Sequence, residues 1–254
     1  NRSYEYHSKF AKGSNIIVIN GSEITRDMPP GHSNAIFIKD ANKLITDDPI
    51  DAYREARKQD AFIFWNHPYW ANQSPDASVP FSQMHKTLIA EGLIEGIEIV
   101  NDTTFSNEAL QLALDYNLTI LGTSDIHGIV DWQYRIPSGG HRPVTLVFTR
   151  EKTKSSLKKA LKAGQTVVWF KEKLIGKEDF QKELWKQSGV ELLQRFPKEI
   201  KQNYQFIFAL NDWQTLLKLD NQIVQEHIQF IQSCLLESMI QLSLNEIMHP
   251  LQYN

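Results

Sequence analysis

The feature that most constrains the fold of this 254-residue chain is an alternation, between Asn15 and Phe170, of short apolar runs with amphipathic polar stretches. This rhythm is typical of βα units around a mostly parallel sheet or barrel. Several of the runs are apolar almost throughout, which favours strands that are covered on both faces. The predicted strands are Ile16–Ile19, Ala35–Ile38, Ala61–Trp65, Gly96–Val100, Leu118–Leu121, Thr145–Thr149 and Thr166–Phe170.

Helix start and stop signals lie between these runs. Ser106, with Glu108 in the following turn, is typical of a helix start, and Gly164 is typical of a helix end. The predicted helices are Pro49–Lys58, Phe81–Glu91, Ser106–Asp115 and Ser155–Ala163.

The composition changes after about residue 175, where Gln, Lys and Leu dominate and the Gly and Pro punctuation thins out. We therefore predict two domains, residues 1–175 and a small C-terminal domain over 176–254. In the second, Tyr204–Leu210 and Met239–Leu244 suit strands, whereas the spacing of Leu and Ile over Thr215–Met248 also allows a helix. Periodicity alone does not decide between these alternatives.

Charge and cysteine content limit the possible partners and metal ligands. The net charge of −3, from 27 Lys and Arg against 30 Asp and Glu, lacks the basic footprint of a nucleic-acid-binding protein. Cys234 is the single cysteine, so a bound metal would need His and carboxylate ligands. No apolar run reaches the roughly 18 residues of a membrane span, and the first residues lack the apolar core of a signal peptide. Compartment and oligomeric state stay open.

Polar residues that can bind metals follow several of the predicted strands. Glu23 lies in GSEIT, His67 in FWNHPYW, and Asp125 and His127 in LGTSDIHG. In βα folds this edge carries the active-site loops. His32, in PPGHSNAIFI, precedes its strand instead, so either this strand runs in a different direction or its loop folds back over the same edge. Imidazole and carboxylate together suit Zn²⁺, Mn²⁺ or Fe²⁺, and a carboxylate can bridge two ions.

Each of these residues also has a structural interpretation. His67 before a proline can be a packed turn residue, Asp125 can cap a helix, and Glu23 can pair with Arg26. Their joint occurrence at successive strand ends favours a metal site. Surface or packing roles are expected for the other histidines in helices and in the tail, namely His7, His85, His227 and His249.

Arg26, His141 and Arg142 are candidates for contacts to a substrate, and Glu98 and Asn101 are candidates for support of a ligand. His141 and Arg142 adjoin a glycine-rich turn, where the arginine can hold a phosphate or form a salt bridge. Glu98 and Asn101 end another strand and can support a histidine ligand by hydrogen bonding. Arg26, His141 and Arg142 are the predicted substrate contacts.

The segments GSEIT, GHSNAIF, NHP and GTSDIH, followed by HRPVTLVFT and KSSLKKALKAGQTVVWF, resemble the PHP family, the polymerase and histidinol phosphatase superfamily of metal-dependent phosphoesterases. The resemblance covers about residues 1–175. It implies a distorted seven-stranded (β/α) TIM-like barrel that holds two or three Zn, Mn or Fe ions. Family members open with a strand carrying an HxH motif, which does not occur in this sequence, so we expect an N-terminally incomplete barrel. More weakly, the tail resembles a small β-rich extension.

The resemblance also implies roles for the candidate residues. Glu23 would bridge two metals, His32 and His67 would complete one of their sites, and Asp125 would bind the other metal. His127 would bind a third ion or face the leaving group. The implied reaction is hydrolysis of a small phosphate mono- or diester by a metal-bridging hydroxide. An inactive metal- or ligand-binding protein is the alternative, and amide or ester hydrolysis also stays open.

Overall fold

A computed structural model describes residues 2–171 and 173–184 of the chain. Its helices are α1 (Arg2–Phe10), α2 (Pro49–Lys58), α3 (Gln83–Ala90), α4 (Asn107–Asp115), α5 (Val130–Gln133) and α6 (Lys154–Lys162). Residues 178–184 are also helical, and Ala41–Leu44 and Ile136–Ser138 form 3₁₀ turns. The strands are β1 (Gly21–Ile24), β2 (Ser33–Ile36), β3 (Phe62–Trp65), β4 (Gly96–Asn101), β5 (Thr104–Phe105), β6 (Thr119–Thr123), β7 (Val144–Val147), β8 (Thr166–Phe170) and β9 (Lys173–Gly176).

The four predicted helices form close to their predicted bounds, because their start signals are local. The Asp48 carboxylate accepts the Ile50 N–H ahead of α2, and the Ser106 hydroxyl accepts the Ala109 N–H ahead of α4. The Thr153 hydroxyl accepts the Ser156 N–H in the same way at α6. These bonds satisfy amides that a helix leaves unpaired in its first turn.

The first sheet contains the six strands from β1 through β6. It is not mostly parallel, in contrast to the prediction. β1 pairs with β2, β2 with β3, and β4 with β5, all antiparallel. The parallel pairs are β3 with β4 and β4 with β6. The fold is therefore mixed α/β, in which parallel βα units follow an antiparallel start.

The second sheet contains β7, β8 and β9, all antiparallel. It adjoins β6 through threonine side chains. Thr145 Oγ1 accepts the Gly122 N–H and donates to the Gly122 carbonyl, each at 2.9 Å. Thr166 Oγ1 donates to the Ile120 carbonyl at 2.8 Å. The close approach of β8 to β6 requires glycine at position 122, since a Cβ on Gly122 would lie 2.4 Å from Cγ1 of Val168.

The predicted seven-stranded TIM-like barrel is not observed. Over residues 2–171 and 173–184 the strands form two open sheets. Side-chain hydrogen bonds replace a backbone ladder between β6 and the second sheet, and β1 pairs with a strand on one side only. Physically, closure needs a continuous backbone ladder around the ring of strands.

Two strand predictions need correction. Ile16–Ile19 lies outside both sheets, because no described strand pairs with it, and Ile16 is exposed. The second predicted strand, Ala35–Ile38, ends at Ile36 because Phe37 has a left-handed φ of 67°. The short strands β5 and β9 were not predicted.

The core lies on both faces of β3, as its uninterrupted apolar run predicts. Ile63 and Trp65 are buried in the main cluster with residues of α2 such as Tyr53. Phe62 and Phe64 are buried on the opposite face against Leu121 and Leu161. Covering both faces makes β3 a rigid support for the segment that follows it.

Residues up to Phe180 belong to one compact unit. The C-terminal domain predicted over 176–254, including Tyr204–Leu210, Met239–Leu244, His227 and His249, lies beyond the described residues except at its start. No described helix is long and apolar enough to span a membrane.

Asp60, just ahead of β3, is held by two lysines of α6. Its carboxylate lies 2.8 Å from Lys158 Nζ and 3.0 Å from Lys162 Nζ, and these bonds lower its pKa from 3.8 to about 2. Because its carboxylate is exposed, we expect Asp60→Asn to lower the free energy of unfolding by only about 0.5–1 kcal/mol at pH 7. Asn also tolerates the φ of 58° at this position.

The sign of the pH dependence follows from the lowered pKa. The contribution of Asp60 is present above its ordinary pKa of 3.8 and is lost as the pH falls toward 2. Denaturant unfolding of the unsubstituted chain and of Asp60→Asn should therefore show a difference in the free energy of unfolding at pH 7 but not at pH 2. Glu55→Gln, which removes the exposed pair with Lys58, is the control with a smaller effect. An equal difference at both pH values would refute this assignment.

Candidate metal centre

The ends of five strands meet at one edge of the first sheet. Ser33, at the start of β2, pairs with Ile24 at the end of β1 and with Trp65 at the end of β3. β4 and β6 run parallel to β3 and end at the same edge. The antiparallel direction of β2 explains why His32 precedes its strand, which confirms the first of the two alternatives for this residue.

Four predicted ligands lie in a row along this edge, and we call Glu23, His32, His67 and Asp125 the strand-end cluster. Glu23 Oε1 lies 3.0 Å from His32 Nδ1. The rings of His32 and His67 are 5.0 Å apart between centroids, and His67 Nε2 lies 3.9 Å from Asp125 Oδ2. His127 continues the row, with Nδ1 at 3.9 Å from Asp125 Oδ1, but its side chain is 86% exposed.

His67 is buried, which favours the neutral form of its imidazole. Burial lowers its pKa, and the charge of Asp125 opposes this shift only in part. Its Nδ1 is buried without a hydrogen-bond partner, and its backbone has a φ of 24°, which is rare for a residue with a side chain. A neutral imidazole is the form that binds a metal ion.

A buried carboxyl group lies beneath the cluster. Glu98 Oε2 accepts the His67 N–H at 2.8 Å and Asn101 Nδ2 at 3.0 Å, and Glu98 Oε1 accepts the Thr123 hydroxyl at 2.7 Å. Burial raises the pKa of Glu98 to about 7, although these hydrogen bonds favour the charged form. The predicted supporting role of Glu98 and Asn101 therefore has a geometric basis.

Trp70 packs against both histidines and was not singled out from the sequence. Its ring lies 5.6 Å from that of His32 and 5.2 Å from that of His67. The hydrogen bond from the Trp70 N–H to the His67 carbonyl, at 2.9 Å, folds the indole back over the cluster. The signal that could have identified it is the spacing in HPYW, which fits one tight turn.

The structural alternatives for Glu23 and Asp125 are not realised. Glu23 contacts His32 and accepts the Thr25 hydroxyl at 2.8 Å, and no ion pair with Arg26 occurs between these described residues. Asp125 has a left-handed φ of 46°, and α5 begins only after Ile129. Both carboxylates are thus available at the sheet edge.

The predicted substrate contacts lie apart from the cluster or are occupied. The Arg26 guanidinium donates to the carbonyls of Thr25 and Thr46, at 3.0 and 2.8 Å. The ring of His141 packs on Trp169 in the second sheet, 4.6 Å between centroids. Arg142 is exposed. Within the described part of the chain, none of the three has an ion pair or hydrogen bond with the strand-end cluster, and their roles stay predictions.

The donor set fits a divalent metal ion in its chemistry. Two imidazoles and two carboxylates are suitable ligands for Zn²⁺, Mn²⁺ or Fe²⁺, and the buried, unpartnered Nδ1 of His67 shows that this ring is not committed to a protein acceptor through that atom. The donors are adjacent as pairs, Glu23 with His32 and His67 with Asp125. Among residues 2–171 and 173–184, no group of three or more such side chains surrounds a single point.

One solved structure gives a context for this geometry. It is the crystal structure of a two-domain protein containing a predicted PHP-like metal-dependent phosphoesterase from Bacteroides vulgatus ATCC 8482. The similarity has a TM-score of 0.71 at 44% sequence identity, and it covers 73% of this chain and 54% of that one. This chain thus spans about half the length of that protein.

The PHP-like phosphoesterase in the name of that protein belongs to the family that the motifs at the strand ends of this chain resemble. No protein-family model matches the sequence, and no curated protein matches it.

Proposed function

We propose that the chain is the metal-binding part of a PHP-like metal-dependent phosphoesterase, which hydrolyses a small phosphate mono- or diester. The observation that carries the proposal is the meeting of two imidazoles and two carboxylates at one sheet edge. The 44% identity to a protein containing a predicted phosphoesterase of this class supports it.

In this proposal Glu23, His32, His67 and Asp125 hold divalent ions. Such ions would neutralise charge on the phosphate oxygens and lower the pKa of water to about 7. The carboxylates act as ligands and do not attack phosphorus. Burial favours the neutral form of His67, and the ring of Trp70 packs against both imidazoles.

His127 is our candidate for the group that faces the leaving oxygen. Its Nδ1 lies 2.7 Å from the Asp125 carbonyl, to which Nδ1–H donates, so that the ring is oriented while most of the side chain is open to solvent. A protonated imidazole here would give its proton to the departing alkoxide.

A second candidate function is metal or ligand binding without turnover. The donors lie in pairs, and in the described ranges no three of them enclose one point, whereas a catalytic zinc site has three protein ligands. This candidate predicts bound metal but no hydrolysis.

Aryl phosphate hydrolysis separates the two functions. The full chain, first treated with a chelator, is assayed with 4-nitrophenyl phosphate and with bis(4-nitrophenyl) phosphate, with and without Mn²⁺ or Zn²⁺. We expect metal-stimulated release of 4-nitrophenol from at least one substrate, which also decides between monoester and diester. Metal binding without turnover of either ester would support the second function, and neither binding nor turnover would refute both.

A further inference from the structure

Glu98 is a buried ionisable group that the proposed chemistry does not use. Its side chain is almost completely enclosed, at 1% exposure, in the middle of β4. It accepts hydrogen bonds from a backbone amide and two side chains, so both of its oxygens are occupied by protein donors. The protein itself therefore supplies the hydrogen-bond partners of this carboxyl group.

The three donors come from three separate strand ends. The His67 amide belongs to the segment after β3, Asn101 ends β4, and Thr123 ends β6, two residues before Asp125. Glu98 therefore connects the segment that carries His67 with the strand that leads into Asp125. The same two segments also meet directly, where His67 Nε2 lies 3.9 Å from Asp125 Oδ2.

Both connected residues have a positive φ. His67 has a φ of 24° and Asp125 a φ of 46°, values that a residue with a side chain rarely adopts. Such conformations persist only where the surrounding structure holds them. Two hydrogen bonds hold the backbone of His67: its amide donates to Glu98 at 2.8 Å, and its carbonyl accepts the Trp70 N–H at 2.9 Å. The bond to Glu98 is the one that a side chain supplies.

We propose that Glu98 is a positioning residue that fixes His67 and, through Thr123, Asp125, so that the two side chains face a common metal site. The inference rests on the proposed function, because positioning has this purpose only if the cluster binds metal. The hydrogen-bond geometry, rather than the charge, does the positioning.

This distinction between geometry and charge can be tested with two substitutions. In Glu98→Gln the amide carbonyl can still accept from His67 and Asn101, and the Thr123 hydroxyl can turn to accept from the amide NH₂. Glu98→Ala removes every acceptor and leaves the His67 amide buried without a partner. Glu108→Ala is the matched control, since Glu108 also accepts a backbone amide, that of Val79 at 2.7 Å, away from the cluster.

Two measurements are made on the full chain and its variants. Titration calorimetry with Mn²⁺ alone gives the metal affinity, and hydrogen exchange in the metal-free protein gives the protection of the His67 amide. For Glu98→Ala we expect roughly 10–100-fold weaker Mn²⁺ binding, as for other residues that orient a metal ligand, and loss of His67 protection. Glu98→Gln should restore both to within a few-fold of the unsubstituted chain, and Glu108→Ala should change neither.

Glu98→Ala with unchanged Mn²⁺ affinity and unchanged His67 protection would overturn the inference, as would a Glu98→Gln variant that behaves like Glu98→Ala. If Glu98→Ala does not fold, Thr123→Val takes its place, since it removes one of the three donors with little change in volume. An intermediate loss of Mn²⁺ affinity then supports the inference, and no loss overturns it. An unsubstituted chain that binds no Mn²⁺ would refute the proposed function, and His67 protection would then decide the positioning on its own.

Discussion

Replacing His67 with alanine should reduce Mn²⁺ affinity and metal-stimulated phosphate ester hydrolysis by more than about 100-fold, which exceeds the usual effect of losing a supporting residue. His67 stands at the centre of the strand-end cluster, between the ring of His32 and the carboxylate of Asp125. Its loss removes a proposed nitrogen ligand and also the ring against which Trp70 packs. Calorimetry with Mn²⁺ and the aryl phosphate assay measure the two effects.

Two further variants make this result specific. His67→Gln keeps much of the side-chain volume but replaces the imidazole, so it should lose nearly as much metal affinity as the alanine variant. His7→Ala removes an exposed imidazole of α1 and should behave like the unsubstituted chain. If His67→Ala retained Mn²⁺ binding and turnover, His67 would not be a ligand.

The second large effect is expected on stability, from His85→Ala. His85 is completely buried in α3, where its ring stacks on Trp65 at 4.0 Å between centroids. Its Nε2–H donates to the Pro30 carbonyl at 2.9 Å, and its Nδ1 accepts the Ser82 N–H at 3.1 Å. Truncation leaves a cavity and two unpaired polar groups, so the free energy of unfolding should fall by about 3–5 kcal/mol. Denaturant unfolding measures this change.

His85 should also make stability depend on pH. Burial lowers its pKa below the ordinary value of 6.5, so its contribution is present above pH 6.5 and is lost as the pH falls below that value. Between pH 7 and pH 5 the unsubstituted chain should lose more stability than His85→Phe, in which this group no longer titrates. His7→Ala, the exposed control, should change stability by no more than about 0.5 kcal/mol. A His85→Ala chain of unchanged stability would contradict the packing role predicted for this histidine.

Four helices, α2, α3, α4 and α6, could be predicted from the sequence because their signals are local, whereas α5 and the helix over 178–184 were not predicted. Asp48 and Pro49 set the start of α2, and Ser106 sets the start of α4, within a few residues of the atoms that they bind. Strands need a partner that is distant in the chain, so the apolar run Ile16–Ile19 did not suffice to form one. The antiparallel pairing of β1 with β2 and the open sheets depend on the same distant contacts.

The site shows the same division between local and distant information. Glu23, His32, His67 and Asp125 could be selected from the sequence because strand ends position the residues that adjoin them. The proposed positioning role of Glu98 could not be predicted in full, since two of its hydrogen-bond donors are 31 and 25 residues away in the chain. The spacing in HPYW allows a tight turn, but no residue type in this segment requires the positive φ of His67, on which the position of Trp70 depends.

The metal content of the protein tests the central claim most directly. The full chain is equilibrated with Mn²⁺ or Zn²⁺, freed of excess ion and subjected to elemental analysis, with the double variant His32→Ala, His67→Ala beside it. The strand-end cluster predicts at least one divalent ion per chain that the double variant, still folded by circular dichroism, has lost. A chain that retains no ion, or a double variant that retains as much as the unsubstituted protein, would contradict a metal centre at this edge of the sheet.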